Sequence, residues 1–403
     1  MLHCMNIDFD GMAVAGFQQV VGDLFPLADT HSNVWNFTTL RALRGHIFGP
    51  FSPEMFAVYG EKRLRRGLLT LLTRSSHMQV SVGHDRLYAL MHLAGDYEEG
   101  AIKVDYNKTE GQIMADAAAY YISQYHDLVF LNDSFRNDVK ATDMLKTDNV
   151  TNPTWIPDSW MGGDPVGTAV SLEDDLELRR TKCVSNAVSI GSMTLRIRGV
   201  KVGWVQQCLT SSADTTINCF WASPLGEYLQ LHLGHNGTGL PLEFPRAIEG
   251  GTYGRKHHHE SIQVGLSYFL GISKTPGLAS QELGYRGSGI QDLLAPLKRV
   301  SRRAWFALRD TLQSLYKRSY IITNSGYVGL VPDCNIREGD DIWIIIGSCY
   351  PVVVRPQPNG KYWHICVARI PALEGHEDIA HLVSESQPGD RVGEWMVEDI
   401  ELQ

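Results

Sequence analysis

Between residues 320 and 368 the chain alternates short apolar runs with turn signals, and no other stretch limits the possible folds so tightly. The runs 320–323, 327–331, 342–346, 352–355 and 362–368 are rich in Ile, Val, Tyr and Trp, which suit a pleated, half-buried surface. Asn324-Ser325-Gly326, Glu338-Gly339-Asp340-Asp341 and Pro358-Asn359-Gly360 lie between them as turns. Strands this short and this closely spaced predict a small, SH3-like antiparallel barrel. Upstream, residues 194–205 alternate apolar and polar side chains and read as a strand pair turned at Gly199. Residues 304–315 read as a helix.

The N-terminal half has a different rhythm. In Val82-Gly83-His84-Asp85-Arg86-Leu87-Tyr88-Ala89-Leu90-Met91-His92-Leu93-Ala94, the residues Leu87, Leu90, Met91 and Ala94 fall on one face of a helix. Further helices are expected over 10–21, 63–72 and 105–131, the last carrying Asp116-Ala117-Ala118-Ala119-Tyr120-Tyr121. A polar loop follows over 132–152. In Asn152-Pro153-Thr154-Trp155-Ile156-Pro157-Asp158-Ser159-Trp160, two prolines hold an extended strip that docks a tryptophan into a core. The expected class is therefore α+β, with a helical N-terminal half and a β-rich C-terminal half. Three regions are expected: a helical 1–160, a mixed 161–300, and 301–403 with a helix, the small barrel and a tail. The Gly-rich span 234–254 reads as a surface excursion or lid.

Composition narrows the function classes. The 403 residues are 43% hydrophobic and 20% charged, which is the balance of a folded globular protein. A net charge of −9 argues against a nucleic-acid or anionic-membrane partner. No run of 18 apolar residues occurs, so no membrane span is expected. The first residues lack the basic and apolar regions of a signal peptide. Seven cysteines, an odd count without C-x-x-C spacing, fit a reducing compartment, and a cytoplasmic location is expected. Neither a dinucleotide fingerprint, nor a phosphate-binding P-loop, nor G-x-S-x-G is present, and no cofactor is expected.

The densest cluster of ligand-type side chains is His257-His258-His259-Glu260. On a helix His257 and Glu260 would share a face, making them candidates for a metal site or, with His258 and His259, for acid–base chemistry. An exposed polar loop is the competing reading of the same four residues. Glu173-Asp174-Asp175-Leu176-Glu177 invites a magnesium-site reading but fits a charged helix better. Asp85 and Arg86, at a helix start, read as architecture: a carboxylate beside the helix dipole and an arginine that clamps a neighbouring loop.

Several segments resemble the fungal heterokaryon-incompatibility (HET) family. Asp85-Arg86-Leu87-Tyr88-Ala89-Leu90 is similar to its D-P-R-D-x-[IV]-Y-A-L-L, with Gly83-His84 where the family has a different lead-in. Val104-Asp105-Tyr106-Asn107-Lys108-Thr109 is similar to [VP]-D-Y-x-K-[ST], and the strip around Trp155 to L-P-S-W-[VI]-P-D-W with one residue inserted. The segment from Arg318 to Pro332 resembles R-x-[FL]-x-x-T-x-x-G-[YL]-x-G-L-[GV]-P, placing Thr323, Gly326, Gly329 and Pro332 on its fixed positions. The family's TIR-like core, marked by S-Y-x-W-G, is not among these segments, and the chain reads as beginning where that core ends. The resemblance implies a scaffold with a recognition or regulatory role in fungal non-self response and cell death, acting on a protein partner. The alternative is a stand-alone enzyme of fungal secondary metabolism, an isomerase, cyclase or hydrolase acting on a small molecule by acid–base chemistry.

Overall fold

One strand, β2 (Leu195–Thr210), pairs with four of the other described strands. The computed structural model describes residues 67–75, 80, 82–92, 94, 96–134, 152–161, 188–191, 193–210, 222–233, 244, 247, 259–273, 297, 299, 301–315, 318–332, 335–348, 350–373 and 376–403. The chain divides into two compact units, Met1–Glu99 and Gly100–Gln403. In the first unit, helix α1 (Leu68–Arg74) precedes helix α2 (Gly83–Met91). Leu87, Leu90, Met91 and Ala94 are all buried, so the i, i+3, i+4, i+7 stripe is the packed face.

In the second unit helix α3 (Glu110–Tyr125) starts at a capping box: Thr109 accepts from the Gln112 amide while the Gln112 side chain accepts from the Thr109 amide. It ends at His126, whose φ of 56° turns the chain sharply out of the helix. Helices α4 (Pro224–Leu233), α5 (His259–Ser273), α6 (Arg302–Leu315) and α7 (His376–Glu385) follow among the described residues. The strands are β1 (Val188–Ile190), β2, β3 (Arg318–Thr323), β4 (Val328–Pro332), β5 (Asp341–Ile345), β6 (Val352–Pro356), β7 (Tyr362–Val367), β8 (Arg391–Val392) and β9 (Trp395–Leu402). Helices and a mixed sheet together make the chain α+β.

The sheet runs β4-β3-β2-β5-β6-β7-β9-β8, with β1 and β9 also paired to β2. Residues 195–200 of β2 pair antiparallel with β9, 199–204 with β5, and 205–210 with β3. Pairing thus returns on itself through β2, β5, β6, β7 and β9. The parallel β7–β9 contact is its thinnest part, a single register pair, Tyr362↔Leu402. The five runs between 320 and 368 all form strands, yet β2 separates the β3–β4 hairpin from the β5–β6–β7 meander. β2 itself lies before residue 300 and pairs with strands beyond it, so the sheet draws on both of the later regions marked out in the sequence.

The strand pair expected to turn at Gly199 is instead one continuous strand. Gly199 serves close approach: a Cβ there would lie 2.6 Å from the Ile344 carbonyl oxygen and 2.9 Å from Ile345 Cγ2. The sequence pattern hid this, because Gly199 lies among buried positions (Arg198 to Val200) where inside–outside alternation is lost.

Two apolar cores flank the β3–β4 hairpin. Leu209, Tyr320, Val328 and Leu330 pack with α4, α5 and α6, whereas Val205, Ile321 and Val331 pack with β5, β6 and β7 residues. All five residues of β4 are buried as a result. Helices α5 and α6 meet closely at Gly265, where a Cβ would stand 2.8 Å from Leu308 Cβ. Gly199→Ala is expected to lower stability by about 1–3 kcal/mol through overpacking. The readout is a lower urea midpoint at unchanged slope, and an unchanged midpoint would contradict the close β2–β5 approach.

Candidate functional site

Two groups of buried polar side chains stand out among the described residues. The first is the turn into β5. Gly339, at φ 88°, makes a turn that any Cβ would strain, and Asp340 follows it at 2% exposure. Asp340 accepts a bidentate pair from Arg355 on β6, 2.7 Å from Nε and 2.8 Å from Nη2, and a third bond from the Arg337 amide at 2.8 Å. Arg355 Nη2 also donates to the Asn335 carbonyl at 2.6 Å. Both carboxylate oxygens and two of the guanidinium nitrogens are thus held by partners of fixed geometry. On the neighbouring strands Lys201 pairs with Asp341 at 2.7 Å, and Arg198 pairs with Asp399 at 2.9 Å while donating to the Ser386 carbonyl.

The second place is the strip 152–161 with the short helical turn Val129–Asp133. Thr154 bridges the strands where β7 and β9 part. Its amide donates to the Gln403 carbonyl at 3.0 Å, its hydroxyl bonds the same oxygen, and the His364 amide donates to that hydroxyl at 2.9 Å. The Ser134 hydroxyl donates to the Trp155 carbonyl at 2.8 Å, tying strip to turn. The Phe130 ring lies 6.3 Å from Trp155 and 5.7 Å from Trp160, and both indoles are buried. Four buried side-chain atoms here have no hydrogen-bond partner: Asn132 Oδ1, Trp155 Nε1, Ser159 Oγ and Trp160 Nε1. Beside them Asp127 accepts from the Tyr121 hydroxyl at 2.6 Å and from the Val129 amide.

The residues singled out in the sequence are dispersed over several elements. His257 and His258 lie outside the described residues, as do 173–177 and all of the 234–254 span except Phe244 and Ala247, which are fully buried. His259 and Glu260 open α5. Arg86 is buried and donates to the Ser75 carbonyl at 2.8 Å, just past the end of α1; Tyr88 is buried and Asp85 lies in the first turn of α2. Asp105 accepts from the Asn107 amide and side chain, and that amide bond holds its carboxyl below the ordinary carboxylate range. Tyr106 beside it is exposed.

Thr323, Gly326, Gly329 and Pro332 do come together, in one hairpin. The Thr323 hydroxyl accepts from the Tyr327 amide at 3.0 Å, Gly326 turns at φ 80°, Gly329 lets Ile370 and Ile321 approach, and Pro332 ends β4 opposite Arg318. Asp340 and Arg355 stood in the sequence as turn and strand residues with no sign that they pair. Thr154 carried no signal at all. Tyr362, on β7, has its phenol pushed above the ordinary value by burial, then by the charges of Asp341 and Glu398.

Among the described residues no group of three or more His, Cys, Asp or Glu side chains is placed to hold a metal, and no helix is long and apolar enough to cross a membrane. No protein family, characterised protein or solved structure matches the chain.

Arg355→Met would leave Asp340 charged and buried without its partner, at an expected cost of about 3–5 kcal/mol. Combining it with Asp340→Asn should recover much of that loss in denaturant titrations. A loss no smaller in the double variant would show that the pair is not the source of the cost.

Proposed function

We propose that this chain is a HET-type scaffold for protein recognition, acting in fungal non-self response and cell death. One observation carries the reading: the side chains behind the resemblance are spent on architecture. Arg86 holds the end of α1, Thr323, Gly326 and Gly329 shape one hairpin, and Trp155 anchors a docked strip. Segments shared with a family for such reasons preserve a shape rather than a reaction, and a preserved shape is what a recognition surface requires. In this reading the pairing ring through β2, β5, β6, β7 and β9 is a small SH3-like barrel, and the partner is a protein in the cytoplasm.

Support for the partner class comes from the sheet's exterior, where Trp204 beside the β2 bulge at Gly203 and Tyr327 beside the linked turn 324–326 remain exposed. Exposed aromatics on rigid turns supply contact area at low entropic cost.

The test is to express the full chain in a filamentous fungus together with a HET protein that carries the S-Y-x-W-G core. Co-purification of the two proteins and an altered proportion of dying cells are expected. Absence of both effects, with a small molecule raising the melting temperature of the purified chain, would overturn the scaffold in favour of the enzyme reading.

A further inference from the structure

We propose that one face of the ring of strands β2, β5, β6, β7 and β9 is a docking site for a basic side chain, an arginine or lysine presented by the partner protein. The proposal rests on the scaffold reading above and names the chemistry of the group that the scaffold receives.

Strand register decides which side chains share this face, because residues paired across two strands stand on the same side of the sheet. Across β2 and β5, Lys201 pairs with Trp343 and Trp204 with Asp341. Across β7 and β9, Tyr362 pairs with Leu402, and Glu398 and Met396 alternate with Leu402 along β9 and so lie on its side. The Tyr362 and Trp343 rings join the two sets, meeting edge to face at 5.9 Å. Their strands, β7 and β5, are not neighbours, since β6 runs between them, so the sheet curls toward this face. Trp343 is buried at its floor, Tyr362 is half-buried, and Glu398, Trp204 (47%) and Met396 (48%) are exposed at its rim.

The charge of this face suits a cation. Lys201 Nζ rests 2.7 Å from Asp341 Oδ1, so an ammonium already fits beside the aromatic rings. On the opposite face of β9 the carboxylates are matched, Asp399 by Arg196 and Arg198 and Glu401 by Lys361. Glu398 forms no ion pair among the described residues, although Arg391 pairs in register with Met396 on the same side. Burial, then the charges of Asp341 and Glu398, push the Tyr362 phenol above its ordinary value, so the potential between these side chains is negative. An unmatched carboxylate between an exposed indole and a thioether offers a guanidinium or ammonium an ion pair, a cation–π contact and an adaptable surface for its apolar stem.

Fluorescence anisotropy of the full chain tests this with a labelled Gly/Ser peptide bearing spaced arginines and its counterpart bearing glutamates. The arginine peptide is expected to bind at least about tenfold more tightly, with a margin that shrinks as salt rises. Glu398→Lys should reverse that preference and Trp204→Ala should weaken the arginine peptide about fivefold. Both positions are exposed, so both variants should melt as the unaltered chain does. Glu227→Lys, an equal change of charge on the exposed side of α4, should leave the preference intact. Equal binding of the two peptides overturns the proposal, and so does an arginine preference that Glu398→Lys and Glu227→Lys lower alike, which would be the work of net charge alone. Co-purification with the HET protein separates this site from the reading it rests on. A partner retained by the unaltered chain and lost by Glu398→Lys supports both. A partner retained by both chains overturns the docking site and leaves the scaffold, whereas Glu398-dependent peptide binding with no partner captured overturns the scaffold and leaves the site.

Discussion

The structure depends on one sixteen-residue strand that is paired at every level. β2 lends its first third to β1 and β9, its middle to β5 and its last third to β3, so its two ends belong to two different apolar cores. Such a strand must twist strongly to serve both. Register shifts between Lys201 and Gly203 and between Val205 and Gln207 supply the bend, as bulges do. The Asn324 side chain caps the same corner by accepting from the Trp204 amide at 2.9 Å. A Cβ at Gly203 would collide with that Asn324 oxygen, so the residue at the bend and the residue that braces it select one another.

Charge is placed to support this strand. Arg198 and Lys201 project from β2 onto Asp399 and Asp341, and the Asp340–Arg355 pair lies one step away at the start of β5. The buried guanidinium groups of Arg86 and Arg198 both donate to a backbone carbonyl next to a helix end, at Ser75 and Ser386. Both examples convert a positive charge into a geometric constraint on the main chain.

Elements were legible in the sequence where local physics decides them. Leu87, Leu90, Met91 and Ala94 marked a buried helical face because helix periodicity survives any tertiary context, whereas the helix expected over 105–131 is shortened to Glu110–Tyr125 by the Thr109–Gln112 cap and the turn at His126. The turns at Gly326, Gly339 and Gly360 were visible for the same reason: their φ values of 80°, 88° and 79° call for glycine. Long-range pairing was not legible. Gly199 looked like a turn because nothing near it in sequence reveals Ile344 pressed against it, and the five late strands looked self-sufficient because β2 lies more than a hundred residues earlier. Thr154 and the Asp340–Arg355 pair were missed likewise, since a single threonine or a turn aspartate acquires its role only from partners far along the chain.

The central claim, that β2 makes one cooperative body of the sheet, is tested most directly by native-state hydrogen exchange along that strand. The hydrogen-bonded amides of 195–200, facing β9, and those of 205–210, facing β3, are predicted to share one opening free energy equal to that of global unfolding. If the 205–210 amides exchanged together with β3 and β4 through a separate, lower-energy opening, the strand would be two independent halves and the account would be wrong.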